Sequence, residues 1–392
     1  SIVPGKYGLG VDIGAISRVR NDFIDRSYRT EYSRLGFYES QANAVYEVED
    51  WFGEMQGVTY QQHITDLYNS INELTKNPTS TIARSSLIQN ATAFIDRSQA
   101  IYSGLKDYQI TLNTEVSSMV DKINELGQKI YSLNKSISKV EAGGVERAND
   151  LRDTRDLALD ELSQYLDIDY YETTDGQIII SAENIPFVSK SEVNTMDVRQ
   201  EGQYGLLIPE WPAYEKDVFS FEKAASNANN NDKGKLKGLL VARGTIDVNY
   251  QDVPVMPDKS DYDLTTAEGM AQYNSAMDDY QKQQDYYNKY IEPSAILSAI
   301  AGFDKLVNGI VTALNDVLCP EKEITLDAPL TDSEGNEIAA AKYPYNASSN
   351  AVLYTRHGQA VQGTDNGESR TFRPPGRHCS RPGRNSNCIE RT

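Results

Sequence analysis

The chain has 392 residues, 39% of them apolar, and a formal charge of −19. That length allows two or three domains with cores of their own. The acidity argues against a surface that tracks nucleic-acid phosphates, which needs clustered Lys and Arg, and against docking on anionic lipid.

Tyr outnumbers Phe by 25 to 9. Tyr suits half-buried faces and subunit contacts, because its ring is apolar and its tip polar. The three cysteines, Cys319, Cys379 and Cys388, are too few and too unevenly spaced for a disulfide framework. No apolar run reaches the roughly 20 residues of a membrane span. The start at Ser1 has neither a basic n-region nor an apolar h-region, so no Sec signal is expected there.

Residues 1–36 read as an extended, turn-rich lead-in, with Val19, Phe23 and Tyr28 on the alternation. A helical period begins near Phe37. Tyr38, Ala42, Val45 and Phe52 keep it, as do Ile64, Leu67, Ile71 and Leu74. Asn77-Pro78 breaks the second helix, and a third, from about Thr81, carries Leu87 and Phe94.

The strongest pattern follows. Leu112, Val116, Met119, Ile123, Leu126, Ile130, Leu133, Ile137 and Val140 alternate spacings of four and three. That is an a/d seam over about four heptads. Gly143-Gly144 ends it, and a further helix starts with Asn149 as its N-cap, with Asp153 and Asp156 near its positive end.

After Leu166 the texture becomes β. Ile168–Tyr171, a turn at Asp175-Gly176 and Ile178–Ile180 read as a hairpin. Gly205–Ile208 and Leu236–Val241 read as further strands. Residues 253–266 are loop-like, and 267–290 form a polar, Tyr- and Gln-rich helix. Pro293 opens a second amphipathic helix in which Ile296, Ile300, Phe303, Val307, Ile310, Leu314 and Val317 repeat the four–three rhythm. Ile324–Leu326 and Asp332–Ile338 are β-like.

The predicted fold is α+β: a rod-like bundle of long helices with an inserted β-rich domain. The helical domain spans 37–167, the β-rich insertion 168–290, the returning helix 291–319 and a β-rich continuation 320–355. Both seams are expected to zip into one shared rod, buried as core of the bundle.

Several segments, in this order, resemble the FlgK family of flagellar hook-associated proteins. Gly8-Leu-Gly-Val-Asp-Ile-Gly14, followed by Arg18, Arg20 and Phe23, resembles the segment leading into that family's helical domain. Asn77-Pro78 with Ala83-Arg84 resembles the link between its second and third helices. The stretch from Asn149 to Leu162, with Leu151, Arg152, Asp153, Arg155 and Asp156, resembles the signature that closes the domain. The resemblance is strong over residues 1–167 and holds in pattern only over 291–318.

The resemblance implies an extracellular, structural subunit exported through the flagellar type III channel. Its partners would be other copies of itself in a ring, the hook protein, a second hook-associated protein and an export chaperone. It implies no cofactor. The family's terminal coiled-coil helices are not matched at either end.

Residues 356–392 depart from the rest: they hold seven Arg, no Lys and three acids, with two of the three cysteines. This basic tail is expected to be out of frame and disordered.

No catalytic or metal site is expected. His63 sits on the second helix near Asp66, and His357 and His378 lie in the tail. His378-Cys379 with Cys388 lacks the paired spacing of a zinc site. No G-x-G-x-x-G, P-loop or G-x-S-x-G occurs, and Asp332-Ser-Glu-Gly-Asn does not place oxygens as an EF-hand does. Two other functions remain open at this point. One is an adhesin whose β domain holds glycan near Tyr170, Tyr171, Trp211 and Tyr214. The other is an enzyme built on facing carboxylates. Tyr102, Tyr108 and Tyr131 are expected on outer contact faces.

Overall fold

The computed structural model describes residues 20–53, 59–143, 147–202, 205–223 and 225–318, and the backbone of short strands between 321 and 352. The helices are α1 (Asp22–Phe52), α2 (Tyr60–Lys76), α3 (Thr81–Glu141), α4 (Asn149–Tyr165), α5 (Lys235–Arg243), α6 (Ala267–Tyr290) and α7 (Ala295–Leu318). Between α4 and α5 lie β1 (Ile168–Glu172), β2 (Ile178–Ala182), β3 (Ile185–Val188), β4 (Asp197–Glu201), β5 (Leu206–Trp211) and β6 (Lys216–Asp217).

The chain divides into two compact units, Ser1–Asn43 with Thr111–Thr245, and Ala44–Ile110 with Ile246–Thr392. The division cuts α1 and α3 rather than falling near 167 or 290, so the strands share a unit with the second half of α3. A small sheet hides one face only. Here the apolar face of β2, Ile178, Ile180 and Ala182, belongs to the same core as the long helix.

In the first unit the buried positions of α3 include Leu112, Val116, Met119, Val120, Ile123, Leu126, Ile130, Asn134 and Ile137. Leu133 is only half-buried and Val140 is exposed, which corrects the C-terminal end of the predicted seam. A straight α-helix drifts about 20° per heptad against a strict seven-residue repeat. The inward line therefore passes from Leu133 to Asn134. The tip of the Phe187 ring packs against Gly127, where a Cβ would lie 2.5 Å from its Cζ.

The sheets are antiparallel, β1-β2-β3 and β4-β5-β6. The predicted hairpin holds, pairing Ile168 with Ala182 and Glu172 with Ile178. The turn from β2 to β3 places Glu183 and Asn184 at φ 49° and 64°, the left-handed pair of a tight two-residue turn.

Two assignments are corrected in this unit. Residues 22–36 are helical, because Asn21 accepts from the N–H of Phe23 at 3.1 Å and Asp22 and Asp25 sit at the positive end. The inward face of this stretch is polar, Arg29 and Ser33, so its apolar residues point outward and misled the alternation reading. Leu236–Val241 is the helix α5, not a strand. Gly238 lets the Phe37 carbonyl approach to 2.4 Å from where a Cβ would stand.

The second unit has an aromatic core. Phe303 of α7 meets Phe52 at 5.3 Å and Tyr60 at 5.1 Å between ring centroids, and Tyr60 meets Phe94 at 5.6 Å. The Tyr60 hydroxyl pairs with Ser98 at 3.0 Å. Trp51 covers Gly104. Asp304 accepts from the N–H of Tyr250, and Lys305 donates to the carbonyls of Val253 and Pro254. α2 ends at Lys76, before Asn77-Pro78, as expected, and α6 is polar as expected, with Gly269 its buried residue.

The seam of α7 is buried at Ile296, Ile300 and Phe303, half-buried at Val307, Ile310 and Leu314, and exposed at Val317. By length and composition alone this helix could cross a membrane, which the sequence reading did not foresee. The two seams belong to different units. Each fills its own unit, so the expectation of one shared rod is corrected. Cys319, residues 332–336 and the tail 356–392 lie outside the described residues.

Candidate functional site

Among the described residues no group of three or more His, Cys, Asp and Glu could hold a metal ion. The densest polar chemistry surrounds the α4 signature. Arg152, Arg155 and Asp156 share one helix face, at i, i+3 and i+4.

Arg152 donates to both oxygens of Glu141, at 2.8 and 2.7 Å, and to Glu172 at 2.7 Å. That pairing, helped by the N–H of Ala148, holds the Glu141 carboxyl down to about 2. The residue at the N-cap is Ala148, not Asn149. Glu141, at the end of α3, takes the Ala148 N–H at 3.0 Å.

Arg155 is fully buried and donates to Asn134 Oδ1 at 2.9 Å and to the Gly176 carbonyl at 2.6 Å. Asp156 lies 3.2 Å from Arg20 and 3.9 Å from Arg29. Arg26 and Arg29 each place a guanidinium over the Tyr170 ring, at 4.6 and 4.7 Å. Leu162 is buried, Leu151 half-buried and Asp153 exposed. The cleft among these groups is about 240 Å³. Its cations and anions face one another, which clamps α1, α3, α4 and the β1–β2 turn together.

Three asparagines on α3 add a second device that sequence reasoning missed. Asn134 donates to the Ile178 carbonyl at 2.7 Å and accepts from the Ile178 N–H at 3.0 Å. Asn124 does the same for Met196, at 2.9 and 2.9 Å. Asn113 donates to the Gly205 carbonyl at 3.1 Å and accepts from the Leu207 N–H at 2.8 Å. Each side-chain amide replaces a missing strand. The buried Arg243 of α5 also binds Asn113, and burial lowers its guanidinium to about 10. A signal was available. Asn is a poor helix former, yet it recurs here near every third turn beside the seam.

A polar cavity of about 740 Å³ opens beside the β2–β3 turn. Lys233 binds Asp167 at 3.0 Å, and Glu183 accepts from the Asp167 N–H at 3.0 Å. Burial pushes Glu183 up to about 7 and pulls Lys237 below the usual lysine range. The aromatic groove of the glycan alternative does not form: Trp211 is fully buried against Phe187, and Tyr170 is covered by arginines. Tyr102, Tyr108 and Tyr131 are half-buried rather than fully outward.

The family profile described as "Flagellar hook-associated protein FlgK helical domain" matches residues 45–258. The chain belongs to the FlgK family. The match runs through the β-rich segment, farther than the resemblance to residues 1–167 reached. The chain is 27% identical over 288 residues to flagellar hook-associated protein 1 of Bacillus subtilis, covering 69% of this chain and 55% of that relative. It is 23% identical over 181 residues to the Escherichia coli protein of the same name, covering 46% and 33%. It thus spans about half the length of the Bacillus relative. A solved FlgK structure from Burkholderia pseudomallei, titled a flagellar hook junction protein, aligns with a TM-score of 0.44 at 18% identity, over 56% of this chain and 38% of that one.

Proposed function

We propose that this chain is a structural subunit of the bacterial flagellum that joins hook to filament by self-assembly and surface complementarity, without catalysis. The FlgK helical-domain match over residues 45–258 carries this reading. The clamp on α4 agrees with it, since its charges serve one another in holding the helices and the hairpin together. In this reading the subunit leaves the cell through the flagellar export channel, held by a chaperone, and forms a ring of identical copies. The hook protein and a second hook-associated protein bound that ring.

The test uses a Bacillus strain lacking its own hook-associated protein 1. The matching segment of that protein is replaced by this chain. Filaments on the hooks, seen by electron microscopy, support the reading. Bare hooks with the chimaera secreted intact into the medium overturn it.

A further inference from the structure

α1 carries an apolar stripe that is half or more exposed, anchored at one end where the Tyr38 hydroxyl donates to Asp232 of the same unit at 2.9 Å. Ile24, Tyr28, Leu35 and Tyr38 are 60%, 52%, 56% and 50% exposed. They continue the four–three spacing, with Glu31 between Tyr28 and Leu35 and the exposed Glu39 beside Tyr38; Glu31 pairs with Arg34 of its own helix at 2.7 Å, an exposed pair that a partner's lysine would replace or join. Such a stripe is the shape of a helix-packing seam, here edged with acid.

The complementary surface lies on α3. Its residues 126–140 contain no acid, and Lys129, Lys135 and Lys139 are all exposed. Among the described residues no carboxylate lies within 4 Å of these three amines; Lys135 lies over the Tyr131 ring of its own helix, 4.3 Å from the centroid, so its charge meets only a ring face there. Both surfaces belong to the first unit, which fixes their relative direction. α4 runs parallel to α1, since Arg20 pairs with Asp156 and Ser33 bonds the Leu166 carbonyl. It runs antiparallel to α3, since Arg152 pairs with Glu141 and Lys122 with Glu161.

We propose that the α1 stripe of one copy docks antiparallel on the lysine face of α3 in a second copy of this chain. This rests on the self-assembly reading. Copies that share one orientation, as in a ring, bring α1 of one beside α3 of the next in that antiparallel sense. The contact is heterologous, so it propagates instead of closing as a dimer. Glu31 then faces Lys135 while Glu39 faces Lys129. The eight-residue and six-residue separations differ by about 3 Å at a rise of about 1.5 Å per residue, within reach of a lysine side chain. Stripe-to-stripe pairing of two α1 helices is disfavoured, because it would set Glu31 against its own copy.

The test measures self-association of the whole chain by sedimentation at high protein concentration and low salt, with circular dichroism confirming the fold of each variant. Glu31→Lys with Glu39→Lys should weaken association about tenfold, and Lys129→Glu with Lys135→Glu equally, since like charges across an interface repel. All four changes in one chain should restore it. Association that ignores both reversals, or that the fourfold variant fails to restore, overturns the docking face and leaves self-assembly standing. A wild-type chain that stays monomeric overturns both.

Discussion

Asn134 of α3 holds both the N–H and the C=O of Ile178 on β2, and the same side chain receives Arg155. One amide thereby joins a helix, a strand and the α4 signature. Replacing it by Leu leaves a buried N–H, a buried carbonyl and a buried guanidinium short of partners. We expect a loss of about 2–4 kcal/mol, read as a lowered urea midpoint. Asn134→Leu should also speed protease cleavage in the 173–177 turn, which a stable hairpin would resist.

Arg155→Lys should not be tolerated as a conservative change. A lysine ammonium cannot span the Asn134 amide and the Gly176 carbonyl as the planar fork does. The expected cost is about 1–3 kcal/mol, measured by chemical denaturation. Stability equal to wild type would mean that the fork geometry is immaterial.

Glu141 and Glu183 should give opposite pH dependences. The folded Glu141 carboxyl sits at about 2 against an ordinary 4.5, so its contribution is full above pH 4.5 and is lost as pH falls toward 2. Glu141→Gln should therefore flatten the acid limb of a thermal-stability profile, by about 1–3 kcal/mol. Glu183 is raised to about 7 by burial, with Asp167, Lys233 and Lys237 around it. Its cost is absent below pH 4.5, grows through that window, and is full above 7. Glu183→Gln should stabilise the fold at pH 8 and leave it unchanged at pH 4.5.

Phe303→Ala should cost about 3–5 kcal/mol, because the ring meets both Phe52 and Tyr60. Gly104→Ala should also destabilise, since the new Cβ would stand 2.5 Å from the Trp51 ring. Calorimetry of each variant checks this. A melting temperature unchanged in Gly104→Ala would show that Trp51 can yield.

Much of the architecture was legible in periodicity. The break at Asn77-Pro78, the seam from Leu112 to Ile130, the Ile168–Ile180 hairpin and the polar helix at 267–290 all follow from local spacing. The errors share a cause: local pattern does not say what stands opposite. Ile24 and Tyr28 are apolar yet face outward, while Arg29 and Arg155 are charged yet buried. Leu236–Leu240 is short and apolar enough for either structure, and the local pattern does not show that Phe37 stands against Gly238. The two seams looked like partners because they share a rhythm, but rhythm carries no address. The asparagines were visible as a recurrence, but their role was not, since their partners are main-chain atoms about 44 to 94 positions away.

Those asparagines stand at 113, 124 and 134, close to whole multiples of three helical turns. Each residue added to an α-helix rotates everything after it by about 100°. An insertion of one residue between Asn113 and Asn134 would swing the later amides off their main-chain partners and carry the lysine strip to another side of the helix. The length of this stretch is therefore gauged, like the pitch of a screw. Natural variants that lengthen it should do so in blocks of about eleven, or lose the sheet.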